Sequence, residues 1–255
     1  MKIGLIASAY NCSEFLEDCL NPWLDFKKQG KHQLDCSIIH NCFYENKELG
    51  LPLKSTDNTE DILESYYDKG LIDHYSSSQK YLKENEARNV CLKHVFSSNV
   101  DYVWLLGLDE IYTVEEINKI LNFVEINSFI TWFKINYKNY VFDGKKWIDG
   151  FNPPRIFKVN TNGGLKELYY DDDFVYNDGS DYKILSRLEI PKSIAHVRHM
   201  TWLHSNGKAK VEYQKKRWGE NGCSYTWNYD TNMLEFNLQY YEKHNLPLPS
   251  LNYNE

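Results

Sequence analysis

Apolar and polar positions along this chain change period at regular intervals. Ile3 to Ala7 is a short apolar run and predicts a strand. Phe15, Leu16, Cys19, Leu20, Trp23 and Leu24 then recur at helical spacing. Asn11 or Ser13 is placed to cap that helix, Pro22 falls near its end, and Gly30 closes the region. Asp35 to His40 predicts a second strand, and the polar, aperiodic segment 41–54 reads as an inserted loop. Beyond it, Thr56, Asp57, Asn58 and Thr59 all suit a helix cap, and Glu60 and Asp61 suit the positive end of a helix. Ile62, Leu63, Tyr66 and Tyr67 supply its inner face, and Gly70 stops it. Leu71 to Tyr75 predicts a third strand. Gln79 to Phe96 predicts a helix packed through Ala87, Val90, Cys91 and Val95.

The next stretch organises the rest. Tyr102, Val103, Trp104, Leu105 and Leu106 form a continuous apolar run, as in a strand buried on both faces. It ends at Gly107, two carboxylates follow at Asp109 and Glu110, and Thr113 with Glu116 makes a capping box for a helix through Ile117, Ile120, Leu121 and Val124. Strand and helix thus alternate four times, which predicts an α/β fold with a mostly parallel sheet and helices on both faces. In such sheets ligands bind past the carboxyl ends of the strands, where these acids lie.

The second half has a different rhythm. Residues 129–142 are aromatic and branched, Asp143-Gly144 signals a hairpin turn, and Lys146 to Ile148 continues beyond it. Arg155 to Val159 predicts a strand, Asn162-Gly163-Gly164 a turn, Asp171 to Asp181 an acidic loop, and Ser193 to His204 a strand with clustered histidines. Lys208 to Trp218 and Asn232 to His244 read as helices, and the tail with Pro247 and Pro249 as extended. With no repeat or low-complexity linker, one unit over 1–255 is the simplest organisation, with halves 1–125 and 126–255.

Composition narrows the function classes. A hydrophobic share of 42% and a charged share of 25% over 255 residues are those of a globular protein. The net charge of −7, with no basic stripe, argues against nucleic-acid binding. The densest basic run, Lys210 to Trp218, reads as a solvated helix face, or alternatively as a surface for phosphates. The first apolar run is too short for a membrane helix, no other stretch is long enough, and the six scattered cysteines include no CxxC pair. These points suggest a cytoplasmic protein with reduced thiols.

Four stretches together resemble the family 2 glycosyltransferases and their relatives with the GT-A fold. They are Gly4 to Leu20 with Tyr10-Asn11 after the first strand, Ser55-Thr56-Asp57-Asn58-Thr59, Ala87-Arg88-Asn89, and the acidic stretch Leu105 to Tyr112. Pro154-Arg155-Ile156-Phe157-Lys158 and the late histidines are similar to those of some members. The resemblance covers roughly residues 1–125 and is weaker beyond Ile126. It implies a Rossmann-like donor half, a mixed acceptor-side second half, and transfer of a sugar from a UDP- or GDP-linked donor to a glycan or other hydroxyl acceptor. The chain departs from the family in two places. The metal motif Asp-x-Asp has Gly107 at its first position, and the acid expected after strand two is separated from Ser55 by the insertion, leaving Glu45 and, closer to the strand, Asn41.

Site residues follow from that resemblance. Ala9, Tyr10, Asn11, Glu45, Asp57, Arg88, Leu108 and Asp109 are expected to bind the donor. Arg88 suits a diphosphate through paired donors, or else pairs with Glu84 or Glu86. Mn2+ or Mg2+ is the implied cofactor, because a divalent cation stabilises the leaving diphosphate. Asp109 is the first candidate ligand. Glu110 is a second, or else orients the acceptor or a water. His204 and His199 are late-histidine candidates, with His196 a third. An inverting transfer needs a base for the acceptor hydroxyl. Glu167, Asp172 and Asp149 are the candidates, Glu167 first because it follows the Pro-Arg-aromatic strand. Arg155 binds phosphate or acceptor, or pairs within the fold. A non-catalytic glycan- or nucleotide-binding protein on the same fold is the alternative.

Overall fold

The computed structural model describes residues 1–141, 144–150, 152–159, 165–170, 173–176, 186–203, 207–219, 222–228, 230–231 and 233–253. The first half runs β1 (Lys2–Ala9), α1 (Ser13–Gln29), β2 (Gln33–His40), α2 (Tyr44–Glu48), α3 (Thr59–Asp68), β3 (His74–Ser77), α4 (Glu84–Ser97), β4 (Tyr102–Leu105), β5 (Glu110–Ile111) and α5 (Val114–Ile126). Then come β6 (Trp132–Lys134), β7 (Tyr137–Val141), β8 (Lys146–Ile148), β9 (Pro154–Lys158), β10 (Leu165–Tyr170), β11 (Asp173–Tyr176), β12 (Arg187–Glu189) and β13 (Val197–His199). A 3-10 turn at Thr201–Leu203, α6 (Gly207–Trp218), β14 (Tyr225–Asn228), β15 (Met233–Phe236), α7 (Leu238–Lys243) and β16 (Asn252–Tyr253) complete the order.

The main sheet is ordered β12-β6-β9-β4-β1-β2-β3. Its pairings are parallel except at β9, which runs antiparallel to both β4 and β6. Successive side chains alternate between faces. From β1, Ile3, Leu5 and Ala7 join the core shared with α1, α3 and α5, while Ile6 joins the one shared with α4. This is the mixed α/β architecture that the alternation predicts. Trp23 of α1 meets Trp104 of β4 edge-on, with centroids 4.8 Å apart, and Tyr112 packs on both. Such aromatic pairs add about 0.5–1.5 kcal/mol beyond their area burial. Gly30 ends α1 at φ 67, the left-handed conformation that glycine adopts without strain.

A second sheet, β16-β8-β7-β13-β5, starts from the acidic turn. β13 lies antiparallel to β5, so His199 is the register partner of Glu110. This pairing brings His199 to the acids.

Several boundaries differ from those read in the sequence. The expected loop 41–54 contains the short helix α2. Leu71 and Ile72 are buried but belong to the close of α3, where both N–H groups donate to the Tyr66 carbonyl, so β3 starts only at His74. The helix expected from Gln79 starts at Glu84, because Leu82 is bonded to 42–44: its N–H donates to the Cys42 carbonyl and its carbonyl accepts from the Tyr44 N–H. Asn232 to His244 divides into β15, paired with β14, and the separate helix α7. Part of the expected acidic loop is β11, paired with β10. Tyr67 is exposed rather than on the inner face of α3, and α1 is capped at neither Asn11 nor Ser13.

Candidate functional site

The strand order reverses between β1 and β4, and a cleft of about 360 Å³ lies past their carboxyl ends. That size suits a small-molecule ligand.

One wall is the turn after β1. Asn11 takes φ 44, which asparagine tolerates. Its Oδ1 accepts from the Thr56 N–H at 2.8 Å, and its own N–H donates to Ser55 Oγ at 3.0 Å. The Cys12 N–H donates to Thr59 Oγ1 at 2.9 Å and the Ser13 N–H to Asp57 Oδ2 at 3.0 Å. The start of α1 is therefore capped from the distant 55–59 segment. Asp57 also accepts from the Thr59 N–H at 3.1 Å, so one carboxylate serves the amino ends of two helices. Burial pushes its carboxyl up, but the bonds from Thr59 and Ser13 outweigh that and hold it below the usual range.

Tyr10, Asn11, Asp57, Arg88, Leu108 and Asp109 all line the cleft. The Tyr10 hydroxyl donates to the Pro52 carbonyl at 2.7 Å. Two expected donor contacts do not line it. Ala9 is fully buried in β1. Glu45 sits on α2 outside the lining, and Phe43, Asn46 and Leu51 represent that segment instead.

The acidic turn separates its two carboxylates. The Glu110 N–H donates to the Gly107 carbonyl at 3.0 Å, which closes the turn. Asp109 faces the cleft. Glu110 is fully buried. Its Oε1 accepts from Arg155 Nε at 2.8 Å, and its Oε2 from the hydroxyls of Tyr112 at 2.8 Å and Tyr137 at 2.6 Å. A buried carboxylate needs such partners. Burial pushes its carboxyl up, against the pull of Arg155 and Tyr137. Glu110 is thus outside the cleft lining, contrary to the expectation that it joins Asp109 as a ligand or faces the acceptor. Arg155, whose role the sequence left open, pairs within the fold.

Asp109 is held from the second sheet. Its carbonyl accepts from the Met200 N–H at 2.9 Å, and its carboxylate accepts from the Thr201 hydroxyl. His199 Nε2 lies 3.7 Å from Asp109 Oδ1 and 2.8 Å from Thr201 Oγ1. His199 Nδ1 lies 2.7 Å from Asn139 Oδ1, and the Asn139 amide donates to the Ile148 carbonyl at 3.3 Å. That fixes Nδ1 as the N–H side of the ring and turns Nε2 toward Asp109. His204 lies outside the described residues. His196 is away from the cleft lining, paired with Asp149 at 2.9 Å.

Cations enter from two helices. Arg88 of α4 is buried and pairs with Glu84, which also takes Arg217 of α6 at 2.8 Å. Burial pushes Glu84 up, but the two guanidiniums outweigh it and hold the carboxyl below its usual value. Lys210 and Tyr213 of α6 line the cleft, and Lys210 Nζ lies 3.9 Å from Asp109 Oδ2. The basic run is therefore not wholly a solvated face. Its signal was present in the sequence, since Lys210, Tyr213 and Arg217 share one side of a helix by their spacing. Thr201 and Asn139 carried no comparable signal.

The candidate bases are not gathered here. Asp149 is exposed and also pairs with Lys192 at 2.9 Å. Glu167 falls in β10, which runs beside α4, but its side chain is outside what is described, as is all of Asp172. Among the described residues no group of three or more His, Cys, Asp and Glu side chains is arranged to hold a metal ion. No helix among them is long and apolar enough to cross a membrane.

No family model and no curated protein matches this chain. Among solved structures it is similar to S. aureus TarS 1-349 in complex with UDP, at 21% identity over 55% of this chain and 36% of that one, TM-score 0.40. The same protein in complex with UDP-GlcNAc matches at 17% identity over 84% and 65%, TM-score 0.44. A provisionally assigned nucleotide-diphospho-sugar transferase of Desulfovibrio desulfuricans G20 matches at 14% identity over 81% and 87%, TM-score 0.35. The chain spans less than two thirds of each of those two S. aureus structures.

Proposed function

We propose that this chain is a metal-dependent glycosyltransferase. It would move a sugar from a UDP- or GDP-linked donor to a hydroxyl acceptor such as a glycan, with inversion. One observation carries the reading: a cleft at the reversal of strand order is lined by Asp109, just past the central strand, together with the cations Arg88 and Lys210, while Asp57 and Glu84, which also line it, are engaged by helix N–H groups and by guanidiniums. Cations there suit a diphosphate, and the Asp109 carboxylate beside them suits a metal ion shared with it.

The donors fit such an ion. Asp109 offers a carboxylate oxygen and His199 an imidazole nitrogen 3.7 Å away. Manganese accepts that mixture, and magnesium commonly takes one or two carboxylates and fills its shell with phosphates and water. When bound, the cation would neutralise charge developing on the leaving diphosphate. The chain's own residues do the rest. Thr201 and the Met200 N–H orient Asp109, Asn139 orients His199, and Arg88 offers its guanidinium to the phosphates. Tyr10 and Asn11 shape the nucleotide side. Glu167 is the proposed base for the acceptor hydroxyl, with Asp172 next, whereas Asp149 is engaged by Lys192 and His196.

The test is a melting and calorimetry series with UDP, UDP-GlcNAc and GDP, with and without Mn2+, on wild type and Asp109→Ala. A ligand at about 100 times its Kd stabilises the folded state by about 2.7 kcal/mol. A rise in melting temperature that needs Mn2+ and vanishes in Asp109→Ala is the expected result. No rise with any nucleotide would sink the reading. A rise that survives chelation and the substitution would favour the non-catalytic binding protein.

A further inference from the structure

Lys210 stands near the start of α6, with its ammonium 3.9 Å from Oδ2 of Asp109 and its side chain 33% exposed. The rest of the helix is tied down elsewhere. Arg217 pairs with Glu84 at 2.8 Å, Lys216 approaches Glu48 at 3.6 Å, and Tyr213 packs near Phe43 with ring centroids 6.2 Å apart. The helix is thus fixed across the cleft, while Lys210 reaches into it on a flexible stem. The other acid of the turn, Glu110, has Arg155 as its own cation.

We infer that Lys210 is an exchangeable counter-ion of Asp109. In the ligand-free protein its ammonium offsets the Asp109 carboxylate. When a nucleoside diphosphate arrives, the ammonium turns to a phosphate oxygen and frees Asp109 for the divalent cation. The inference rests on the nucleotide-sugar reading above and adds a residue that changes partner during binding.

Three physical points support it. A separation of 3.9 Å in a partly exposed setting makes a weak ion pair, one that is easily given up. Lysine is a compact point charge on a four-carbon stem, suited to swinging between two anions. An ammonium beside a carboxylate also repels a divalent cation that approaches the same oxygens. The ammonium should therefore oppose cation binding in the empty cleft and assist phosphate binding in the filled one. That opposition of sign is the signature of the exchange.

The experiment compares the 255-residue wild type, Lys210→Met and Lys210→Arg. Mn2+ binding without nucleotide is followed by the electron paramagnetic resonance signal of the free ion. UDP and GDP binding at saturating Mn2+ is followed by calorimetry, and melting curves confirm folding. Lys210→Met is expected to bind Mn2+ alone about threefold more tightly. It is expected to bind the nucleotide about tenfold more weakly, the size of one lost charge-assisted contact. Lys210→Arg should stay close to wild type in nucleotide binding. If Lys210→Met shifts both constants in the same direction or leaves either unchanged, the exchange is overturned. If Lys210→Arg loses nucleotide as Lys210→Met does, packing rather than charge is responsible, and the exchange is again overturned. Failure of wild type to bind either nucleotide would overturn the underlying reading, and with it the exchange. Binding to wild type and Lys210→Met alike would overturn the exchange alone.

Discussion

Position 107 has no room for a side chain. A Cβ there would lie 2.5 Å from Oε1 of Glu110 and 3.0 Å from Oδ1 of Asp109. The space a side chain at 107 would need is taken by the Glu110 carboxylate, arriving from three residues later and held there by Arg155 and two phenols. Gly107→Ala is therefore expected to cost about 1–3 kcal/mol in urea unfolding, the range for overpacking a filled site. Gly107→Asp, which recreates the Asp-x-Asp pattern, should be worse rather than better. Unfolding midpoints equal to wild type for both would contradict this account. His40 supports a second residue-level prediction. It is buried, with Nε2 2.9 Å from Ser55 Oγ and Glu60 3.8 Å from Nδ1. Burial pushes its pKa below the ordinary 6.5, and Glu60 only partly opposes this. The unfolded chain therefore takes up a proton that the folded one refuses. Stability is full above about pH 6.5 and falls as the pH drops through the folded value. His40→Gln should flatten part of that fall in melting curves recorded between about pH 7.5 and pH 5. Only part is expected, because burial lowers His32 and His196 as well. A slope unchanged by the substitution would assign the effect to those two.

At the scale of elements, the acidic turn is set between two supports. Upstream, β4 is buried along its whole length. Downstream, α5 begins with a reciprocal capping box, in which the Glu116 N–H donates to Thr113 Oγ1 at 3.1 Å and the Thr113 N–H to Glu116 Oε2 at 2.8 Å. Thr113→Ala is expected to cost about 1 kcal/mol of stability, typical for a lost cap. The check is calorimetric melting, and a melting temperature equal to wild type would show that packing of Ile117, Ile120, Leu121 and Val124 alone holds the helix. This element was legible because its cap and its apolar spacing are both local. The start of α1 was not. Its donors are met by Ser55, Asp57 and Thr59, more than forty residues away. The extended stretch before α4 was likewise obscured, because its bonds to 42–44 come from a distant segment.

For the whole molecule, the two halves share one sheet. β9 inserts antiparallel between β4 and β6, and Trp132 and Phe157 from the second half stack in the core beneath α4, with centroids 6.3 Å apart. A fragment ending at Ile126 would leave the edge of β4 unpaired and that core open. It is expected to show no cooperative transition in urea, whereas the full chain should show one; a sharp transition in the fragment would contradict the shared-sheet account. The cleft divides in the same way, with Asp109, Arg88 and Tyr10 from the first half and Lys210 and Tyr213 from the second. What the sequence determined by itself was local: the alternation of strands and helices, the acids past the central strand, and the capping box of α5. Those features follow from side-chain period and from bonds within a few residues. Only the tertiary structure decided which acid faces the cleft, what neutralises the other, and which cations and histidine reach Asp109. Those outcomes depend on burial and on register between distant strands, as when β13 sets His199 opposite Glu110, and no local pattern encodes them.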